Sequence, residues 1–171
     1  LPGDRGRSAD RSRVMERNGL IILAAGGSVV LLAGAFAFQY IGGMAPCQLC
    51  LWQRWPHAAA IVIGLVALLV SAGIVARLLA GLGAMAALTT AAIGVFHVGV
   101  EQKWWEGLAS CTAGSIEGLS GSDLLNPDVI LAPVVRCDAI AWQMFGISMA
   151  GWNVILSLIF AGLWVKAART A

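Results

Sequence analysis

The sequence predicts an all-α membrane protein, a four-helix transmembrane bundle with a long polar loop between helices three and four. Three observations carry this. Of the 171 residues, 59% are hydrophobic and only 12% are charged, about half the roughly 25% found in soluble domains. The mean hydropathy is +0.83. The charges are also segregated, leaving uncharged runs long enough to cross the roughly 30 Å hydrocarbon core of a bilayer.

Residues 1–17 carry Arg5, Arg7, Arg11, Arg13 and Arg17 among Ser, Asp and Gly, without an apolar period. They read as a flexible, basic cytoplasmic arm. Met15 is a candidate native start, which would make the residues before it a leader or an added remnant. A membrane span follows at once, so the arginines are read as a positive-inside flank rather than a nucleic-acid arm. Nucleic acid is not an expected partner; the lipid bilayer is.

The first helix is expected over about 19–41, because Leu20–Ile41 is an uncharged run of 22 residues. That run is too long for a secretory h-region and has no clear cleavage site after it, so it reads as a retained span. Residues 41–46 make a short turn, and Pro46 suits the first turn of the next helix. From Ala58 to Val100 the chain is uncharged except at Arg77. A single helix of those 43 residues would be about 65 Å long, twice a bilayer. The break is expected between Ser71 and Arg77, giving helices at about 47–71 and 77–100. Residues 101–142 form the polar loop, with six of the nine acidic residues and two of the four cysteines. Its apolar residues, such as Leu124, Leu125 and Ile130, suggest that part of it lies on the membrane surface. Residues 143–165 are the fourth span. Residues 18–171 thus read as one four-helix domain.

Eight basic residues (the five arginines of the arm, Arg77, Lys166 and Arg169) fall on one side, and only Arg54, Lys103 and Arg136 on the other. The positive-inside rule then puts both termini in the cytoplasm and all four cysteines outside. Trp52, Trp55, Trp104, Trp105 and Trp142 cluster near the outer face as an aromatic belt does. An even set of cysteines in an oxidising compartment is compatible with two disulfides.

The chemistry is concentrated in Cys47-Gln-Leu-Cys50-Leu-Trp-Gln-Arg54. On a helix Cys47, Cys50 and Arg54 share a face. A guanidinium and a helix N-terminus both favour the thiolate, the nucleophile of disulfide exchange. A dithiol with a fixed cation at a membrane boundary points to electron transfer.

The C-x-x-C-x-x-Q-R motif opening the second of four helices, with a further cysteine pair in the second outer loop, resembles the disulfide-bond formation protein B (DsbB) family. Phe96-His97-Val98-Gly99-Val100, Cys137-Asp138 and Phe145–Asn153 extend the likeness to nearly everything after residue 17. The resemblance implies a bacterial inner-membrane enzyme that reoxidises a DsbA-like periplasmic thiol oxidase and reduces the membrane quinone pool, ubiquinone or menaquinone. The long loop is then periplasmic. It implies Cys47–Cys50 as the quinone-coupled pair, with Cys50 the thiolate nearest the quinone, and Cys111–Cys137 as the partner-facing pair. Arg54 and His97 are the implied quinone-binding residues.

Other readings remain beside this one. Two inert structural disulfides are one such reading of the four cysteines, although a small membrane bundle rarely needs such staples. Zinc held with His97 or His57 fits poorly with a wide loop and a lone C-x-x-C, so no metal is expected. Leu51 after Cys50 removes the c-type haem motif. On position alone Arg54 is open between a snorkelling anchor and a functional cation, with the adjacent dithiol favouring function. His97 is equally open between a quinone contact and an interfacial residue, and His57 reads as a packing or interface residue. A Gly-rich stretch at 81–86 lies inside a span with no strand before it, and is no dinucleotide fingerprint. A non-catalytic adaptor, a relative serving a dedicated partner, and a vitamin-K-epoxide-reductase-like enzyme are the rival functions. The last would carry its C-x-x-C late in the chain.

Overall fold

Apolar runs become helices in lipid because only a helix satisfies its own backbone there. In the computed structural model, which describes residues 2–108 and 135–171 without the side chains of 2–6, 8 and 9, four helices do so. They are α1 (Pro2–Tyr40), α2 (Gln48–Leu69), α3 (Ile74–Glu101) and α4 (Met149–Thr170). All four are long and apolar enough to span a membrane, in the segments Asp10–Tyr40, Gln48–Leu69, Ile74–Glu101 and Met149–Thr170. The protein is a multi-pass membrane protein with a four-helix bundle fold.

The helices pack in a ring, α1 on α2, α2 on α3, α3 on α4 and α4 back on α1. The seam is built from small residues. Ala76, Ala80, Gly83, Ala84, Ala87 and Ala91 form the buried stripe of α3, while Leu65, Leu69 and Met85 point outward. This is how membrane helices approach closely when lipid gives no hydrophobic drive between them. A Cβ on Gly83 would strike the fully buried Trp164 ring of α4, and one on Gly94 would strike Val154.

Three boundaries differ from those expected. The stretch 1–17, expected as a flexible arm, is helical from Pro2. Proline fits a first helical turn, and a helix nucleated by the span extends at one hydrogen bond per residue. Arg17 ties it down: the side chain is 1% exposed and donates to the carbonyls of Val70, at 2.5 Å, and Ser71. It thereby caps the open end of α2. Lys166 pairs with Glu16 at 3.2 Å and Arg77 donates to the Ala171 carbonyl at 3.0 Å at this same end. Pro46 does not occupy the first turn of α2; it precedes Cys47, which is the N-cap.

The fourth helix begins at Met149 rather than 143, because 143–148 form a hairpin. Strands β1 (Gln143–Met144) and β2 (Ile147–Ser148) pair antiparallel. Phe145 and Gly146 between them have φ of 54° and 76°, the doubly left-handed loop that suits the twist of a hairpin. Ser148 then caps α4, its hydroxyl accepting from the Gly151 N–H at 3.2 Å. Five residues, 138–142, join Cys137 to this hairpin. The apolar part of the expected loop, including Leu124, Leu125 and Ile130, lies outside the described residues.

Candidate functional site

The cysteine motif is shaped by the start of α2. Cys47 takes the role usually held by Ser or Asp, its sulfur accepting from the Cys50 N–H at 3.3 Å. This turns both thiols into the first helical turn, with their sulfurs 2.8 Å apart and both free. Cys47 is buried and Cys50 half-buried. Cys137 is fully buried and disulfide-bonded. It packs with Cys47, Leu49 and Val100 in a small apolar cluster that Cys50 and Leu108 complete. Three of the four cysteines therefore lie together although 87 positions separate Cys50 from Cys137. Cys111 lies outside the described residues. Beside Cys137, Arg136 grips Asp138 through two hydrogen bonds of 2.9 and 2.6 Å, which holds that carboxyl below its usual range.

Cys50 also forms part of the wall of a cavity of about 550 Å³ between α1, α2, α4 and the hairpin. Phe38, Met44, Trp142 and Trp152 make much of its apolar lining, and among the described residues Arg54 is the one arginine or lysine in its wall. Trp142 packs on Phe38 with ring centres 5.3 Å apart. The Trp152 indole donates to the Met144 carbonyl at 3.2 Å and ties the hairpin to α4.

Arg54 is held from α1. Its Nη1 donates to Gln39 Oε1 at 2.6 Å and its Nη2 to the Ala35 carbonyl at 3.4 Å. Its guanidinium carbon lies 4.9 Å from the centre of the Phe36 ring, within cation–π range. Its Nε is buried and has no hydrogen-bond partner among the described residues. An unpaired buried donor costs about 1–3 kcal/mol.

His97 is buried between the cysteines and α2. Its Nε2 is 3.6 Å from Cys47 Sγ and 3.9 Å from Glu101 Oε1. Its Nδ1 is 2.9 Å from Gln53 Nε2. Glu101 in turn accepts from Ser148 Oγ at 2.5 Å. His57, expected as a packing or interface residue, belongs to a buried polar network. Its Nε2 is 2.8 Å from Asn153 Oδ1 and its Nδ1 3.2 Å from Ser28 Oγ.

The ligand atoms of Cys47, Cys50 and His97 all lie within 4.8 Å of one another, a grouping of metal-binding type. The chain does bring a histidine to its C-x-x-C, despite the wide loop. A metal-bound imidazole, however, donates its second N–H to an acceptor, and here that second nitrogen faces an amide.

Gln39, Gln53, Thr90, Glu101 and Asn153 carry the site's polar contacts, and the sequence assigned none of them a function of its own, although Gln53 and Asn153 lie in the stretches that carry the resemblance. Their signal was present, since polar residues inside spanning helices are costly and usually functional.

Residues 17–167 match the family described as disulfide bond formation protein DsbB. Disulfide bond formation protein B 2 of Pseudomonas aeruginosa is 30% identical over 151 residues, 85% of each chain. Disulfide bond formation protein B of Dechloromonas aromatica is 31% identical, over 80% of this chain and 81% of its own. Its namesake in Stutzerimonas stutzeri is 26% identical, over 89% and 96%. No solved structure matches.

Proposed function

The chain belongs to the DsbB family of disulfide bond formation membrane proteins, with an oxidoreductase role in that process, and from that premise we propose that it is a thiol:quinone oxidoreductase. It oxidises a DsbA-like periplasmic dithiol and passes two electrons, through Cys111–Cys137 and then Cys47–Cys50, to ubiquinone or menaquinone in a bacterial inner membrane. The observation that carries this reading is the double placement of the C-x-x-C pair. Cys47 packs against Cys137, while Cys50 faces the cavity with Arg54.

The cavity fits a quinone ring and the start of its tail. Its volume is within the roughly 300–1,000 Å³ of small-molecule sites, its lining is mostly apolar, and Arg54 contributes a cation to the same wall as Cys50. A bound quinone supplies a two-electron acceptor. The remaining chemistry is thiol–disulfide exchange, which needs a thiolate, a leaving group and access to the sulfur. The family resemblance implies Cys111 as the partner of Cys137. The partner's thiolate attacks Cys111, a bond to Cys111 forms, and the Cys111–Cys137 bond breaks with the electron pair leaving on Cys137. In the oxidised C-x-x-C, Cys137 attacks Cys47 and the pair leaves on Cys50, beside the Arg54 charge. The partner's second thiol then attacks its own sulfur in the mixed disulfide, so the partner leaves oxidised and the electron pair leaves on Cys111, which attacks Cys137 and releases Cys47. Net, two electrons and two protons pass from the partner dithiol to the quinone.

The same reading puts both termini in the cytoplasm and the cysteine end in the periplasm. The end bearing Arg17, Arg77 and Lys166 is then the positive-inside end. The test is anaerobic mixing of reduced protein with ubiquinone and with menaquinone, following quinone reduction by absorbance. Stoichiometric reduction of either supports the proposal; no reduction of either leaves a membrane adaptor.

A further inference from the structure

Behind the cysteines lie two amides, the buried Gln53 on α2 and the half-buried Asn153 on α4, which the electron route does not use. Their orientation is fixed by backbone carbonyls, which can only accept. Gln53 Nε2 donates to the Leu49 carbonyl at 3.2 Å. Asn153 Nδ2 is 3.4 Å from the Thr90 carbonyl and 3.1 Å from Thr90 Oγ1. The Thr90 hydroxyl spends its own proton on the Gln53 backbone carbonyl at 3.1 Å. Between the two amides, Asn153 Nδ2 donates to Gln53 Oε1 at 2.7 Å. Turning either amide over would set oxygen against oxygen at a backbone carbonyl.

The consequence falls on His97. With Gln53 Oε1 committed to Asn153, the atom facing His97 Nδ1 at 2.9 Å is an N–H donor. Nδ1 must then present its lone pair, and the ring proton sits on Nε2. The other side of the ring agrees, because Nε2 faces acceptors: the Cys47 sulfur at 3.6 Å and Glu101 Oε1 at 3.9 Å. We propose that Gln53, itself set by Asn153, is a positioning residue that locks His97 as an Nε2–H donor to the Cys47–Cys137 cluster. Held so, His97 is neither a base for Cys47 nor a metal ligand. It meets the charge that forms on Cys47. That charge arises when Cys111 attacks Cys137 of the Cys47–Cys137 mixed disulfide, and the pair leaves on Cys47. This last consequence rests on the redox reading above; the tautomer does not.

The full-length protein in detergent, labelled with ¹⁵N-histidine and reduced, gives the test. The His97 ring signals, assigned by their loss in His97→Ala, are expected to show a protonated Nε2 and a bare Nδ1. A protonated Nδ1, or rapid averaging of both forms, overturns the lock. Gln53→Glu provides a gain-of-function arm. A carboxylate accepts from Nδ1, frees the Nε2 lone pair and completes a Cys47–Cys50–His97 ligand set. Reduced Gln53→Glu protein is expected to bind Zn²⁺ about 10–100-fold more tightly than the parent, the usual weight of a group behind a metal-bound imidazole. The gain should vanish when His97→Ala is added. Equal zinc affinity in parent and variant counts against the lock. If quinone reduction fails while the Nε2–H form is found, the redox reading falls and the lock stands.

Discussion

Arg54 on α2 donates to Gln39 on α1 across 2.6 Å, so the cation beside Cys50 is anchored by a neighbouring helix rather than by headgroups. That favours the functional reading of Arg54 over a snorkelling anchor. Arg54→Met keeps much of the length and removes the charge. The loss of a charged hydrogen bond, about 1.5–3 kcal/mol, is expected to slow quinone reduction or weaken quinone binding by one to two orders of magnitude. Exchange with a dithiol partner at Cys111 should be largely retained. Quinone reduction at the parent rate in stopped-flow would return Arg54 to the role of anchor.

Gln39→Leu leaves the charge but removes its strongest partner, with the Ala35 carbonyl and the Phe36 ring remaining. An effect of several-fold on the same rate is expected, smaller than that of Arg54→Met. A rate equal to the parent's would mean that Gln39 does not orient the guanidinium.

Orientation is open to labelling. An impermeant thiol reagent should reach Ser120→Cys from outside intact cells, and Ala72→Cys, in the turn between α2 and α3, only after permeabilisation. The reverse pattern would invert the topology and remove the oxidising compartment on which the disulfide route depends.

The order of exchange can be trapped. A Cys137→Ser protein with Cys111 activated as a mixed disulfide should capture a DsbA-like partner that lacks its resolving cysteine. Mass mapping is expected to find the link at Cys111. A link at Cys47 would mean that the C-x-x-C pair meets the partner directly.

Packing has its own test at Gly83, whose missing side chain makes room for Trp164. Overfilling a close-packed seam costs about 1–3 kcal/mol, so Gly83→Ala should unfold in detergent at lower temperature or denaturant than the parent. Unchanged unfolding would show that the α3–α4 seam relaxes freely.

The number of helices and the turn at 71–73 were legible because a spanning helix needs an uncharged run of known length. The cysteine motif, its cation and the family resemblance were legible for a similar reason, being local in sequence. What was not legible depends on contacts across helices. Arg17 looks like one more flanking cation until it is seen under the carbonyls that end α2. Asn153 looks like a polar interruption of the fourth span. Only the close approach at Gly94 brings it to Gln53 and gives His97 its setting. The hairpin escaped because its strands are two residues each, with a phenylalanine in a left-handed position that usually favours glycine or asparagine.

The five residues between Cys137 and the hairpin act as a leash. Even fully stretched, they let the Cys137 backbone roam about 20 Å from β1. On the proposed route this keeps the Cys137 sulfur at an effective concentration of millimolar order or above at Cys47, as short tethers do. A freely diffusing small thiol must compete with a neighbour that is always present. The short leash thereby insulates the quinone-coupled pair from leakage, so that electrons enter through the loop disulfide and not from the thiols of the surrounding fluid.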